Sequence, residues 1–68
     1  MDATTRRFIR RLKTLRAQHG YSQQTLSTHT GLTREYIARL ELGQHDPSLS
    51  VLVKLATALK VTVGGLVD

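Results

Sequence analysis

The chain has no cysteine and no tryptophan, and only one proline and one phenylalanine among its 68 residues. Without cysteine, disulfide staples and thiolate metal sites are excluded. No apolar run approaches the roughly 18 residues that a membrane span needs. Acidic residues are also scarce. Five carboxylates against ten lysines and arginines leave a net charge of +5, which suits an anionic partner. Two of the five, Asp2 and Asp68, stand at the ends of the sequence, so paired carboxylates for acid–base catalysis are hard to assemble. Ser22 and Ser48 are placed as helix caps rather than nucleophiles, and there is no glycine-rich phosphate loop. His19, His29 and His45 lie too far apart for a compact ligand motif. These absences exclude a metal centre, a cofactor site and an enzyme from the expected functions. The opening residues do not read as a secretory leader, so a soluble cytoplasmic protein, or one domain of a longer chain, is expected.

What remains is helical. A single domain over residues 1–68 buries only about 60% of the surface its unfolded chain exposes, so short helices with local contacts are the economical solution. Phe8, Leu12 and Leu15 recur at i, i+4 and i+7, which predicts a first helix over 5–18. Gly20 ends it, and Ser22 caps a second helix over 23–29 around Leu26. Thr33 caps a third over 34–42, with Ile37 and Leu40 inward. Gly43 and the polar run Gln44-His45-Asp46-Pro47 separate it from a fourth helix over 49–59, capped by Ser48. There Leu49, Leu52, Val53, Ala56 and Leu59 are expected to face the core. A short fifth helix over 62–67 contains Leu66, although Gly64-Gly65 weakens it by about 1 kcal/mol per glycine. Period-two alternation is confined to Val61-Thr62-Val63, so the expected fold class is all-α.

The stretch from Ser22 to Leu40, SQQTLSTHTGLTREYIARL, carries the sharpest signal. Gly31 supplies the chain reversal between two crossing helices, where positive φ is nearly free only for glycine. At 100° per residue, Glu35 and Arg39 lie opposite the inward Ile37 and Leu40, and Arg34 stands at the helix start. Arginine bonds bidentately to guanine O6 and N7, and glutamate accepts from cytosine N4. Glu35 also offers an i, i+4 ion pair to Arg39.

These residues resemble the phage repressor and Cro type of helix-turn-helix domain, the XRE-like or HTH-3 family. Gln23, Leu26, Gly31, Ile37 and Leu40 match its two-helix framework. Glu41-Leu42-Gly43, Pro47-Ser48-Leu49 and Leu55-Ala56-Ala58-Leu59-Val61 match its downstream pattern. The resemblance implies a compact five-helix bundle of the lambda-repressor type whose third helix enters the major groove of double-stranded DNA. Thr33, Arg34, Glu35, Tyr36 and Arg39 are then the base-reading candidates. Gln23, Gln44, His45 and Arg16 are the phosphate candidates, with Arg16 paired to Glu41 at the end of the third helix. Two positions depart from the family pattern. Leu42 replaces a polar or basic residue, and Lys60 replaces a glycine, at a cost of about 1 kcal/mol if φ is positive there.

The implied function is a sequence-specific transcriptional regulator, a repressor acting as a homodimer on a palindromic operator. Val61, Val63, Leu66 and Val67 are the candidate dimer surface. An antitoxin or a restriction–modification controller uses the same domain, and a protein-interaction adaptor is the alternative of another class. Arg6, Arg7, Arg10, Arg11, Lys13 and Arg16 make the first helix basic. That charge serves as a solvated face, as attraction to DNA, or as a membrane-surface helix. Tyr21 is expected to pack on the second helix; Tyr36 stands between packing and a DNA contact.

Overall fold

Each helix begins where a side-chain oxygen can accept one of the backbone N–H groups that the first turn leaves unpaired. A computed structural model describes residues 2–68, with α1 at Ala3–Gln18, α2 at Gln23–Thr30, α3 at Arg34–Glu41, α4 at Leu49–Leu59 and α5 at Val63–Val67. Asp2 accepts from the Thr5 N–H at 2.7 Å, so α1 starts two residues earlier than its apolar stripe alone suggests. Ser22, Thr33, Ser48 and Thr62 cap the other four helices in the same way. The bond from Thr5 holds the Asp2 carboxyl below its ordinary pKa. The cap is therefore fully formed at neutral pH and is lost on acidification through that lowered value.

α1 lays Phe8, Ile9, Leu12 and Leu15 against α3 and α5, while α2 packs on α3 and α4. Leu26 of α2 and Ile37 and Leu40 of α3 are fully buried at the centre. The described residues contain no strand. Arg11 donates through Nε to the Gly65 carbonyl at 3.1 Å, where the C-terminal end of α5 favours a cation. His19 Nε2 lies 2.9 Å from the Leu59 carbonyl and ties the end of α1 to the end of α4. Tyr21 is partly buried against the core, its ring between His19 and His29 at centroid distances of 5.1 and 4.6 Å. The packing expected of it is present.

Two expectations are corrected. On α4, Leu49 and Val53 are 71% and 48% exposed, while Leu55, Ala56 and Leu59 are buried. Leu52 is half-buried beside them. Ser50, Lys54 and Thr57 form a polar stripe at i, i+4 and i+7, and the buried residues lie opposite it, whereas Leu49 and Val53 lie on its flank. The observed inward set is 52, 55, 56 and 59. The second correction concerns Leu66, assigned above to a dimer surface. It is fully buried within the monomer, because α5 is little more than one turn and Leu66 is what anchors it. Val61, Val63 and Val67 are half-buried around it.

Three of the helix ends share one hydrogen-bond pattern. After α1, the Gly20 and Tyr21 N–H groups donate to the Ala17 and Arg16 carbonyls; after α3, those of Gly43 and Gln44 donate to Leu40 and Arg39. After α4, Lys60 and Val61 donate to Thr57 and Ala56. This is the Schellman closure, which puts one residue in the left-handed region. Gly20 and Gly43 fill that place at φ 70° and 77°, but after α4 it falls to Lys60 at φ 59°. A lysine there bears a steric penalty that glycine lacks. Lys60→Gly is therefore expected to stabilise the fold by about 1 kcal/mol and raise Tm by roughly 4–8 °C. Thermal unfolding followed by circular dichroism checks this, and a lowered Tm would contradict it.

Candidate nucleic-acid interface

The turn between α2 and α3 is built from three hydroxyls and one glycine. Gly31 takes φ 77° and carries the reversal. The Thr30 hydroxyl donates to the Leu26 carbonyl at 2.8 Å and accepts from the Leu32 N–H at 3.2 Å. Ser27 donates through Oγ to the Leu32 carbonyl. Thr33 then accepts from the Tyr36 N–H at 3.1 Å, starting α3. Each bond satisfies a backbone group that a tight turn would otherwise leave unpaired. The turn is thus held at a fixed angle and does not rely on side-chain packing alone.

α3 is oriented by a second device. Arg16 of α1 meets Glu41 of α3 fork to fork, Nε to Oε2 at 2.8 Å and Nη2 to Oε1 at 3.1 Å. A third donor, Nη1, reaches the Tyr21 carbonyl at 3.0 Å. Gln23 of α2 donates through Nε2 to Glu41 Oε1 at 3.1 Å. Glu41 is 5% exposed, and its charge is matched by a bidentate guanidinium and an amide. The pairing of Arg16 with Glu41 implied by the family pattern is present, and Gln23 joins it. One N–H of Gln23 is thereby occupied, which leaves its second N–H for an outside acceptor.

Of the base-reading candidates, Arg34, Glu35 and Arg39 are exposed on α3. The ion pair proposed between Glu35 and Arg39 is not the one formed. Arg34 Nη2 lies 3.7 Å from Glu35 Oε1 instead. Both partners are more than half exposed, so this contact contributes little and either side chain can leave it. The Thr33 oxygen serves as cap, while its O–H proton stays available to donate. Tyr36 is half-buried, and its ring stacks on His45 at 5.6 Å with 22° between the planes. This stack joins α3 to the loop that carries the phosphate candidates Gln44 and His45, both exposed. Sequence reasoning missed it, since nothing in the spacing relates residue 36 to residue 45.

The histidines are dispersed: His19 on Leu59, His29 against Tyr21 and His45 on Tyr36. Among the described residues no group of three or more His, Asp or Glu side chains could hold a metal. No described helix is long and apolar enough to cross a membrane. Six of the ten basic residues lie on α1, and all but Arg16 are exposed there.

Residues 12–66 match the helix-turn-helix family model HTH_3. The chain belongs to this family. It is the XRE-like, Cro/C1-type group of DNA-binding transcriptional regulators. The chain is 40% identical over 55 residues to the SPbeta prophage-derived uncharacterized HTH-type transcriptional regulator YonR of Bacillus subtilis, covering 81% of this chain and 51% of that protein. It is 35% identical over 57 residues to the immunity repressor protein of Bacillus phage phi105, covering 84% and 40%. It thus spans about half the length, or less, of these two relatives. Among solved structures it is similar to the restriction-modification controller protein C.AhdI of Aeromonas hydrophila, with TM-score 0.88 and 42% identity over 96% of this chain and 98% of that one.

Because Glu41 is buried, its loss strands the Arg16 guanidinium and the Gln23 amide beside it. Glu41→Ala is expected to destabilise this helix-turn-helix domain by about 3 kcal/mol, measured by urea unfolding. A loss below about 1 kcal/mol would show that the fork contributes no more than a surface pair.

Proposed function

We propose that the chain is a cytoplasmic transcriptional repressor that binds a palindromic operator as a homodimer, with α3 in the major groove. The observation that carries the reading is the outer face of α3. It presents Arg34, Glu35 and Arg39 to solvent on a helix whose angle is fixed by the Arg16–Glu41 fork. Two exposed arginines with no role in the fold are suited to guanine edges, and Glu35 to cytosine N4. Thr33 and Tyr36 flank them. Phosphate contacts are assigned to Arg16, Gln23, Gln44 and His45, with the N-terminus of α2 adding backbone donors. The likeness to a phage immunity repressor supports repression.

One domain of this size meets few base pairs, so pairing about a two-fold axis supplies the missing specificity. With Leu66 withdrawn into the core, the dimer surface is drawn around Val61, Val63 and Val67. The exposed Leu49 and Val53 of α4, which packs on α5, add the apolar area that this surface needs. Equilibrium sedimentation is expected to show a dimer that Val63→Glu dissociates. A wild-type monomer both alone and on DNA would overturn the dimer.

A second reading, a restriction–modification controller, draws on the likeness to C.AhdI along almost all of both chains. The genes beside the recovered binding site separate the two. The test of the groove assignment is selection of bound duplexes from a random pool, repeated with Arg34→Ala and Arg39→Ala. Each substitution is expected to cost about 1–3 kcal/mol and relax preference at one position. Gln44→Ala and His45→Ala are expected to weaken binding to all sequences alike. If neither arginine substitution alters the selected site, α3 does not read bases.

A further inference from the structure

A groove of about 510 Å³ runs along α1 beside the C-terminal end of α3, lined by Arg6, Ile9, Arg10, Lys13, Glu41 and Leu42. We propose that it docks an acidic peptide segment of another protein, one that inserts an apolar side chain between Ile9 and Leu42. Leu42 is 65% exposed, and it stands where the family pattern has a polar or basic residue. Leu42 lies outside the hydrophobic core, to which Leu40 and Ile9 belong. Around it stand Arg10 and Lys13, both exposed and without an ion pair among the described residues. The carboxylate on the wall, Glu41, has its charge matched by the Arg16 guanidinium and the Gln23 amide, which lowers its repulsion of an incoming anion.

An apolar floor with a cationic rim selects a ligand that has both characters at side-chain spacing. A peptide of carboxylates and leucines meets that description: the apolar anchor supplies affinity and the rim supplies orientation and rate. A duplex backbone meets only the rim. It brings charge but no side chain to fill the space beside Leu42.

The test is fluorescence anisotropy of the full chain with two labelled peptides, one of glutamate and leucine and one of glutamate and serine. The leucine peptide is expected to bind about tenfold more tightly, the scale for burying one apolar side chain. Leu42→Gln is expected to abolish that difference, and Arg10→Glu with Lys13→Glu to weaken both peptides. Random-sequence duplex DNA, titrated in parallel, is expected to bind Leu42→Gln within twofold of wild type. Equal affinity for the two peptides, or discrimination that survives Leu42→Gln, overturns the proposal. So does a matching loss of duplex affinity in Leu42→Gln, which assigns the groove to DNA. Amide chemical-shift changes on the wild-type chain must centre on Ile9, Lys13 and Leu42 when the leucine peptide is added. Shifts confined to other helices also overturn it. The peptide titration stands whether or not the chain reads DNA.

Discussion

The Arg16–Glu41 fork is the contact on which the arrangement of the first three helices depends. It joins α1 to α3 directly, takes in α2 through Gln23, and holds the α1–α2 link through the Tyr21 carbonyl. Leucine-rich packing is tolerant of small rotations, because a side chain of similar shape can refill the same space. A two-pronged charged contact is not tolerant, since both hydrogen bonds fail together when the planes tilt. As a source of net stability a buried ion pair is weak; its stronger effect is to select one geometry among several that the core would accept. For a helix that presents side chains outward, that selection determines where they point.

The hydroxyl-built turn complements the fork from the other end of α3. Ser27, Thr30 and Thr33 settle the backbone groups around Gly31, so the start of α3 is fixed locally while its end is fixed through α1. The Tyr36–His45 stack then extends this rigid body into the loop after Gly43. The backbone that carries Arg34, Glu35 and Arg39 is set by these supports, while their exposed side chains stay free to turn.

Much of this frame was legible in the sequence because local chemistry determines it. Caps at Ser22, Thr33 and Ser48, and glycines at 20, 31 and 43, are short-range signals, and so is the stripe on α1. What was misplaced or missed has more than one cause. On α4 the polar stripe Ser50, Lys54 and Thr57 marks the outward side, but spacing among the apolar residues alone does not use it, so Leu49 and Val53 were placed inside and Leu55 was overlooked. Leu66 looked available for a partner because a five-residue helix gives no periodicity from which to infer its buried side. The partner of Glu35 turned on rotamers, which spacing does not determine. Tyr36 with His45, and Gln23 with Glu41, are tertiary meetings between residues that share no local pattern. The fork itself was anticipated only through the family resemblance, for charge and spacing do not relate residue 16 to residue 41.

The caps differ in one respect that follows from their chemistry. Asp2 closes the start of α1 with a full negative charge, whereas Ser22 and Thr33 close α2 and α3 with neutral hydroxyls. An aspartate would have capped those two helices equally well. It would also have cancelled the partial positive charge that aligned peptide dipoles gather at a helix N-terminus. At α2, which has a hydroxyl cap and no acidic residue in its first turn, that charge remains, whereas Glu35 in the first turn of α3 offsets it there. The N-terminus of α2 is therefore electropositive by virtue of the backbone itself, independently of any lysine or arginine.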